Sequence, residues 1–211
     1  MNRRKFLSYA SSLMATGTLG MSAGNARLEG LFTLNYLNAL NIPNLTPFFS
    51  ERATQTHYVE HYLSDYSTLI QESTSFNEHH LYNSCVNHQH YWKGLSTKPS
   101  MPNKYIERLI CDCWGGMSGL FNGIKCTIPY VYGSGWIVVD APSKGTLNLK
   151  IVSNDEIKVP STSLLTIDLW EHAYYIDFLY DVEAYVDTIF KLIDWNIVNK
   201  RIIDADSKYI A

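Results

Sequence analysis

The sequence predicts an α+β fold, with an N-terminal helical hairpin followed by a C-terminal mixed domain that holds a three-stranded antiparallel sheet and flanking helices. Two long segments near the N-terminus, residues 51–69 and 78–92, lack glycine and proline and are long enough for helices. Three short apolar runs follow in the second half, at 136–139, 147–152 and 164–168, and have the length and composition of strands. The 211 residues are 46% hydrophobic and 18% charged, which is enough for one compact unit or two small packed lobes.

Three regions are predicted along the chain. Residues 1–26 form an export signal peptide, 27–97 an N-terminal arm with the helical hairpin, and 98–211 a C-terminal α/β domain. The boundary rests on the stretch 97–102, which contains two prolines and a serine and is typical of a connection. Asparagines together with Pro43 and Pro47 interrupt the leucine-rich residues 27–47, which indicates an extended arm rather than a helix.

The first 26 residues have the composition of a cleavable signal. Arg3, Arg4 and Lys5 form a basic start, residues 6–21 are mildly apolar, and Gly24 to Ala26 offer a small-residue cleavage site. The apolar part is too short and too polar for a membrane span, so no stable membrane anchor is expected. The paired arginines indicate twin-arginine export to the periplasm or beyond, with a Sec-type signal or a lipid-free anchor as the alternative.

Charge and cysteine content exclude two classes of partner or site. Removal of residues 1–26 takes away three cations and no acid, so the formal charge of −3 becomes more negative. Without a Lys/Arg cluster, no nucleic-acid partner is expected. The four cysteines lack the paired spacing of a zinc site and leave both disulfides and buried thiols open; they are Cys85, Cys111, Cys113 and Cys126.

Both hairpin helices carry histidines, and the histidine of the second helix is predicted to point inward. Ser50 is a suitable N-cap for the first helix, on which His57 and His61 lie one turn apart on a single face. On the second helix, His88 shares the apolar face with Leu81 and Cys85, so it points inward. Two helical histidines at this spacing are also common as solvated or core residues.

The second half predicts helix, sheet and helix. A helix at 105–114 ends at a Gly-Gly pair, and a short element covers 120–128. The first two strands are joined by the turn 142–145 as an antiparallel hairpin, and a last helix runs over 183–200.

The stretch Asp168-Leu-Trp-Glu-His-Ala-Tyr-Tyr175 brings a carboxylate and an imidazole together at the end of the third strand. Asp168 leaves the strand and His172 follows four residues later, a spacing at which both can bind one metal ion. The alternative is a buried Asp-His pair that holds a turn together.

This stretch resembles the signature of iron/manganese superoxide dismutases. Asn87 to Trp92 is similar to the second ligand motif of that family, with His90 in place of the usual aromatic residue. Tyr132-Gly-Ser-Gly-Trp136 is similar to its glycine turn, in which the tryptophan forms a wall of the metal pocket. The resemblance implies one Fe or Mn ion per chain, bound by His57, His88, Asp168 and His172, with His61, Trp136, Glu171 and Tyr175 as further active-site residues. Three imidazoles and a carboxylate suit Fe, Mn or Zn.

The family resemblance implies dismutation of superoxide to oxygen and hydrogen peroxide in the periplasm. It also implies a homodimer in which Glu171 and Tyr175 reach His172 and His61 of the second subunit. The alternative function is an exported dismutase-like protein with weak or no dismutase activity that acquires or delivers metal, or forms a heterodimer with a paralogue. A third alternative is a purely structural relic of the fold that binds no metal.

Several positions depart from the family pattern. Asp65 stands where a tyrosine gates the site, and Ser84 stands where iron-type members carry a glutamine. The manganese-type glutamine is expected near 154–156, where the chain has none. Cations near the access route are replaced as well: Glu60 takes the place of a lysine, Tyr62 that of a histidine, and Val182 that of an arginine.

Overall fold

The computed structural model describes residues 42–71, 78–98, 100–153 and 162–209. The predicted signal peptide, residues 27–41 of the predicted arm, and positions 154–156 lie outside these ranges. The α-helices are α1 Glu51–Gln55, α2 Leu63–Gln71, α3 Glu78–Lys93, α4 Lys104–Trp114, α5 Met117–Thr127, α6 Glu171–Phe178, α7 Val182–Leu192 and α8 Trp195–Ser207. In those ranges, no helix is long and apolar enough to cross a bilayer.

The first predicted helix is a continuous helical segment with a wider middle. Ser50 caps α1 through its side-chain oxygen, which accepts from the Ala53 backbone N–H at 3.0 Å. Between α1 and α2 the backbone forms a π-helix over Thr56–Tyr62. Wide turns of this kind are rare and often occur at functional sites. Here the π-helix carries both His57 and His61.

Three strands form one antiparallel sheet in the order β2-β1-β3, with β1 at Trp136–Asp140, β2 at Asn148–Val152 and β3 at Ser163–Asp168. All residues of β1 and β3 are buried, whereas β2 is a partly exposed edge. Helices α3 and α8 pack against β3 and cover it. The α+β fold with a helical hairpin and a three-stranded antiparallel sheet is therefore confirmed; the domain boundary at residue 97 stays a prediction.

The single last helix predicted over 183–200 is wrong, because the chain forms two helices there. Ile193 adopts an extended conformation, with φ −56° and ψ 121°, and the Asp194 side chain caps α8 by accepting from the Asn196 N–H. The Asp194 N–H donates to the Gly94 carbonyl at 2.8 Å. This tertiary bond to the end of α3 compensates for the lost helical bonds.

All four cysteines are free thiols in the structure. Of the two possibilities that the sequence left open, disulfides and thiols, the structure shows thiols. Cys85 is buried in the hairpin, where burial raises the pKa of its thiol and keeps it protonated. The other three are exposed.

Candidate metal centre

Four side chains from four elements converge at the end of β3. His57 comes from the π-helix, His88 from α3, Asp168 from the last position of β3 and His172 from α6. The Asp168 Oδ2 atom lies 3.0 Å from His57 Nε2, 3.5 Å from His88 Nε2 and 3.3 Å from His172 Nε2. One ligand atom from each residue lies within 4.8 Å of all the others, so the four residues form a group that could hold a metal ion.

Two of these atoms are buried and lack a hydrogen-bond partner. They are His57 Nε2 and Asp168 Oδ2, which lie 3.0 Å apart. A buried unsatisfied polar atom costs about 1–3 kcal/mol, more if it is charged, and an ion bound between the four donors would offset that cost. Donors about 2.1 Å from one ion lie about 3.0–3.4 Å apart at ordinary coordination angles, which is close to the observed spacing. The donor set therefore fits a metal ion.

Hydrogen bonds behind the donors hold two of them in place. His88 Nδ1 lies 2.9 Å from the Ser84 carbonyl oxygen, which can only accept, so Nδ1 carries the proton and Nε2 is free to bind. Asp168 Oδ1 accepts from the Trp170 N–H at 2.9 Å, which turns Oδ2 toward the three histidines. Contacts of this kind orient metal ligands and fix their tautomers.

The protonation states also suit a metal site. Burial lowers the pKa of His57 to about 4 and that of His88 to about 3, so both are neutral at neutral pH. Burial alone would raise the pKa of Asp168, but the neighbouring His172 and His57 imidazoles hold it well below its ordinary value. Neutral imidazoles and an ionised carboxylate are the forms that bind a metal ion.

Aromatic side chains enclose the cluster. Trp136 is fully buried, and its ring packs edge-on against His88 with centroids 5.0 Å apart. Tyr91 and Trp92 cover His57, at centroid distances of 5.1 and 4.7 Å. These rings therefore shield His57 and His88 from water.

The remaining predicted site residues take different positions. His61 is half-buried and stacks on His172 with centroids 4.1 Å apart, so it joins the cluster. Glu171 begins α6 and is exposed, and Tyr175 is 55% exposed on the same helix. The described residues thus place His61 and Trp136 against the metal donors, while Glu171 and Tyr175 lie on the adjoining surface.

The structure adds contacts that sequence reasoning missed. The Ser84 hydroxyl donates to Asp65 Oδ2 at 2.6 Å, so two positions regarded as departures from the family pattern bind each other. Tyr185 donates to the Tyr91 hydroxyl at 3.3 Å behind His57. The spacing of Ser84 four residues before His88 was the available signal, because it places both on one helix face.

Comparison with known proteins agrees with this geometry. The family model for iron/manganese superoxide dismutases, C-terminal domain, matches residues 102–201. The chain is 30% identical over 171 residues to the mitochondrial Mn superoxide dismutase of Penicillium chrysogenum, covering 76% of this chain and 77% of that protein. This chain belongs to the iron/manganese superoxide dismutase family.

Other relatives are named as Mn or as Fe superoxide dismutases. The mitochondrial Mn superoxide dismutase of Aspergillus fumigatus is 25% identical over 195 residues, covering 79% of this chain and 87% of its own length. The Fe superoxide dismutase of Bordetella pertussis is 26% identical over 176 residues, covering 74% and 92%. The chain is thus similar to both Mn and Fe superoxide dismutases.

Proposed function

We propose that this chain binds one Fe or Mn ion through His57, His88, Asp168 and His172 and dismutates superoxide to oxygen and hydrogen peroxide. The observation that carries the proposal is the convergence of three Nε2 atoms on Asp168 Oδ2 at 3.0–3.5 Å, with two of the four atoms buried and unpartnered. Membership in the superoxide dismutase family supports the reaction.

His57, His88, Asp168 and His172 would hold the ion, which would supply one-electron redox chemistry between a two-valent and a three-valent state. The protein residues keep the donors ready for it. Ser84 fixes the tautomer of His88, and the Trp170 N–H orients Asp168. Trp136 excludes water behind His88, and His61, half-buried on His172, connects the cluster with the surface.

Metal analysis tests the site directly. The purified protein should contain about one Fe or Mn per chain and dismutate superoxide, and Asp168→Ala should lose both the metal and the activity. Asp187→Ala is the matched control, because Asp187 pairs with Lys125 of α5 and is not one of the four metal donors. Stoichiometric metal in Asp168→Ala would place the site elsewhere.

A second candidate function is metal acquisition or delivery, or service as one half of a heterodimer, with weak or no dismutase activity. The observation that favours it is the Asp65–Ser84 pair, because neither residue can donate to a water at the metal as a tyrosine or glutamine would. Full metal occupancy with negligible dismutation would support this candidate and exclude the first.

We further propose a homodimer joined next to the metal centre. Glu171 and Tyr175 are exposed on α6, the helix that also carries His172, and His61 stacks on His172. A second copy offers acceptors and donors to these groups. Sedimentation should give a dimer at micromolar concentration, weakened by Glu171→Ala but not by Glu183→Ala, an exposed acid on α7. A metal-bound monomer would contradict this arrangement.

Export is proposed from the sequence of residues 1–26. Arg3, Arg4 and Lys5 followed by a mildly apolar stretch support a twin-arginine route to the periplasm. In a bacterial host, the exported parent protein should begin near Arg27. The variant in which Arg3 and Arg4 are both changed to Lys should instead accumulate in the cytoplasm. Unaltered export of that double variant would favour a Sec-type signal.

A further inference from the structure

Asp65 and Ser84 form a short hydrogen bond between the two helices of the hairpin. Asp65 lies on α2 and Ser84 on α3, and the Ser84 hydroxyl donates to Asp65 Oδ2 at 2.6 Å. Ser84 is only 2% exposed. A short bond from a buried hydroxyl to a carboxylate is of the strong, charge-assisted kind.

The same serine contacts the back of His88 twice. His88 Nδ1 lies 2.9 Å from the Ser84 carbonyl and 3.2 Å from the Ser84 hydroxyl oxygen. A hydroxyl has one proton, and here Asp65 accepts it, so the oxygen presents only lone pairs to the Nδ1–H of His88. The hydrogen bonds therefore run in one direction: the His88 imidazole donates to Ser84, and the Ser84 hydroxyl donates to the Asp65 carboxylate.

We propose that Asp65 and Ser84 are positioning residues, a carboxylate–serine anchor that holds His88 in its metal-binding tautomer and increases the affinity of the site for a cation. The inference rests on the metal centre proposed above. An anion linked to Nδ1–H draws that proton outward, which makes Nε2 a stronger donor to a positive ion. Asp65 thus acts on the metal through the ligand, on the opposite side of His88 from the ion.

A purely structural role predicts a different result. If the bond only fastens α2 to α3, its loss lowers the stability of the metal-free protein and leaves metal affinity unchanged. If Asp65 acts only by its charge through space, removing another nearby carboxylate has the same effect. Glu60 provides that comparison, since it is exposed on the π-helix and its charge also acts on His61.

The test measures Mn²⁺ affinity by competition with a chelator of known affinity, at one pH, for chelator-stripped protein. Asp65→Asn keeps the shape and an acceptor for Ser84 but removes the charge, and Ser84→Ala removes the link. Each should weaken Mn²⁺ binding by about 10-fold. The double variant should also lose about 10-fold, because both changes break one connection. Glu60→Gln should stay within about 2-fold of the parent.

Urea unfolding of each metal-free variant separates affinity from stability. Unchanged Mn²⁺ affinity in Asp65→Asn, an equal loss in Glu60→Gln, or additive losses of about 100-fold in the double variant would each overturn the inference. If Ser84→Ala does not fold, Asp65→Asn and Glu60→Gln still decide. Asp168→Ala reports on the proposed centre itself: Mn²⁺ binding at parental affinity there would reject the site, independently of the anchor.

Discussion

The metal-free protein should lose stability steeply as the pH falls from about 7 to about 4.5. The cause is the burial of His57 and His88 as neutral imidazoles around Asp168. The experiment therefore varies only the pH of metal-free protein and measures the free energy of unfolding.

The sign follows from the pKa values. Both histidines titrate at about 6.5 in the unfolded chain, but burial lowers the pKa to about 4 for His57 and about 3 for His88 in the folded protein. Between these values the unfolded chain binds protons that the folded one does not, so acid favours unfolding. Asp168 acts in the same direction at lower pH, because its folded pKa lies below the ordinary value and its stabilisation is lost on protonation.

The magnitude is large relative to the stability of a small protein. Linkage gives a loss of about 1 kcal/mol per histidine at pH 5.5 and about 2–3 kcal/mol per histidine at pH 4.5. The two histidines together therefore cost several kcal/mol out of a typical 5–15 kcal/mol. Acid should unfold the metal-free protein well before its carboxylates are fully protonated.

Urea titrations at pH 7.0, 5.5 and 4.5 measure this loss. The urea midpoint should fall at each step, and His88→Gln, which removes one of the two titrating groups, should reduce the pH slope by up to about 1.4 kcal/mol per pH unit. A midpoint that stays constant between pH 7.0 and 5.5 would refute the argument, since it would mean that the buried histidines accept protons without cost.

Three further outcomes are expected. The dismutation rate of the metal-loaded protein should be slow for the family and stay flat or rise with salt, because Glu60 and Val182 stand where the family resemblance implies cations; a steep fall with salt would contradict this. Leu179→Gly should raise stability by about 1 kcal/mol, because Leu179 has φ +54° and ψ −119°, angles that suit glycine, in a turn closed by a bond from the Asp181 N–H to the Phe178 carbonyl. A melting temperature no higher than that of Leu179→Ala would contradict this prediction. Arg201→Met should lower the free energy of unfolding in urea by about 2–4 kcal/mol, because the Arg201 guanidinium donates to two backbone carbonyls from different segments, each at 2.8 Å. A loss below about 1 kcal/mol would show that water replaces the guanidinium as the donor.

Much of the fold was accessible from local pattern. Ser50 ahead of a segment without glycine or proline predicted a helix start, and the Ser50 cap is present. The turn 142–145 between two apolar runs predicted the hairpin that β1 and β2 form. These features are encoded within a few residues, where propensity and turn chemistry dominate.

The parts that were missed depend on contacts between distant segments. The break between α7 and α8 shows no glycine or proline, and it is fixed by the Asp194 N–H bond to Gly94, about a hundred residues away. The π-helix has no distinctive composition. Likewise, Ser84 reads as the loss of a glutamine when positions are compared one at a time, and its bond to Asp65 becomes visible only when α2 and α3 pack together.

Sheet register links the fold to the metal centre. Trp136 pairs directly with Asp168 across β1 and β3, so both side chains lie on one face, where Trp136 packs on His88 and Asp168 meets His57. A slip of one residue would turn Asp168 to the opposite face, since strand side chains alternate. The bulge between Val139 and Asp140 confines irregularity to the far end of the pair and leaves the metal end regular. The buried pair of strands β1 and β3 thus fixes the carboxylate around which the three imidazoles assemble.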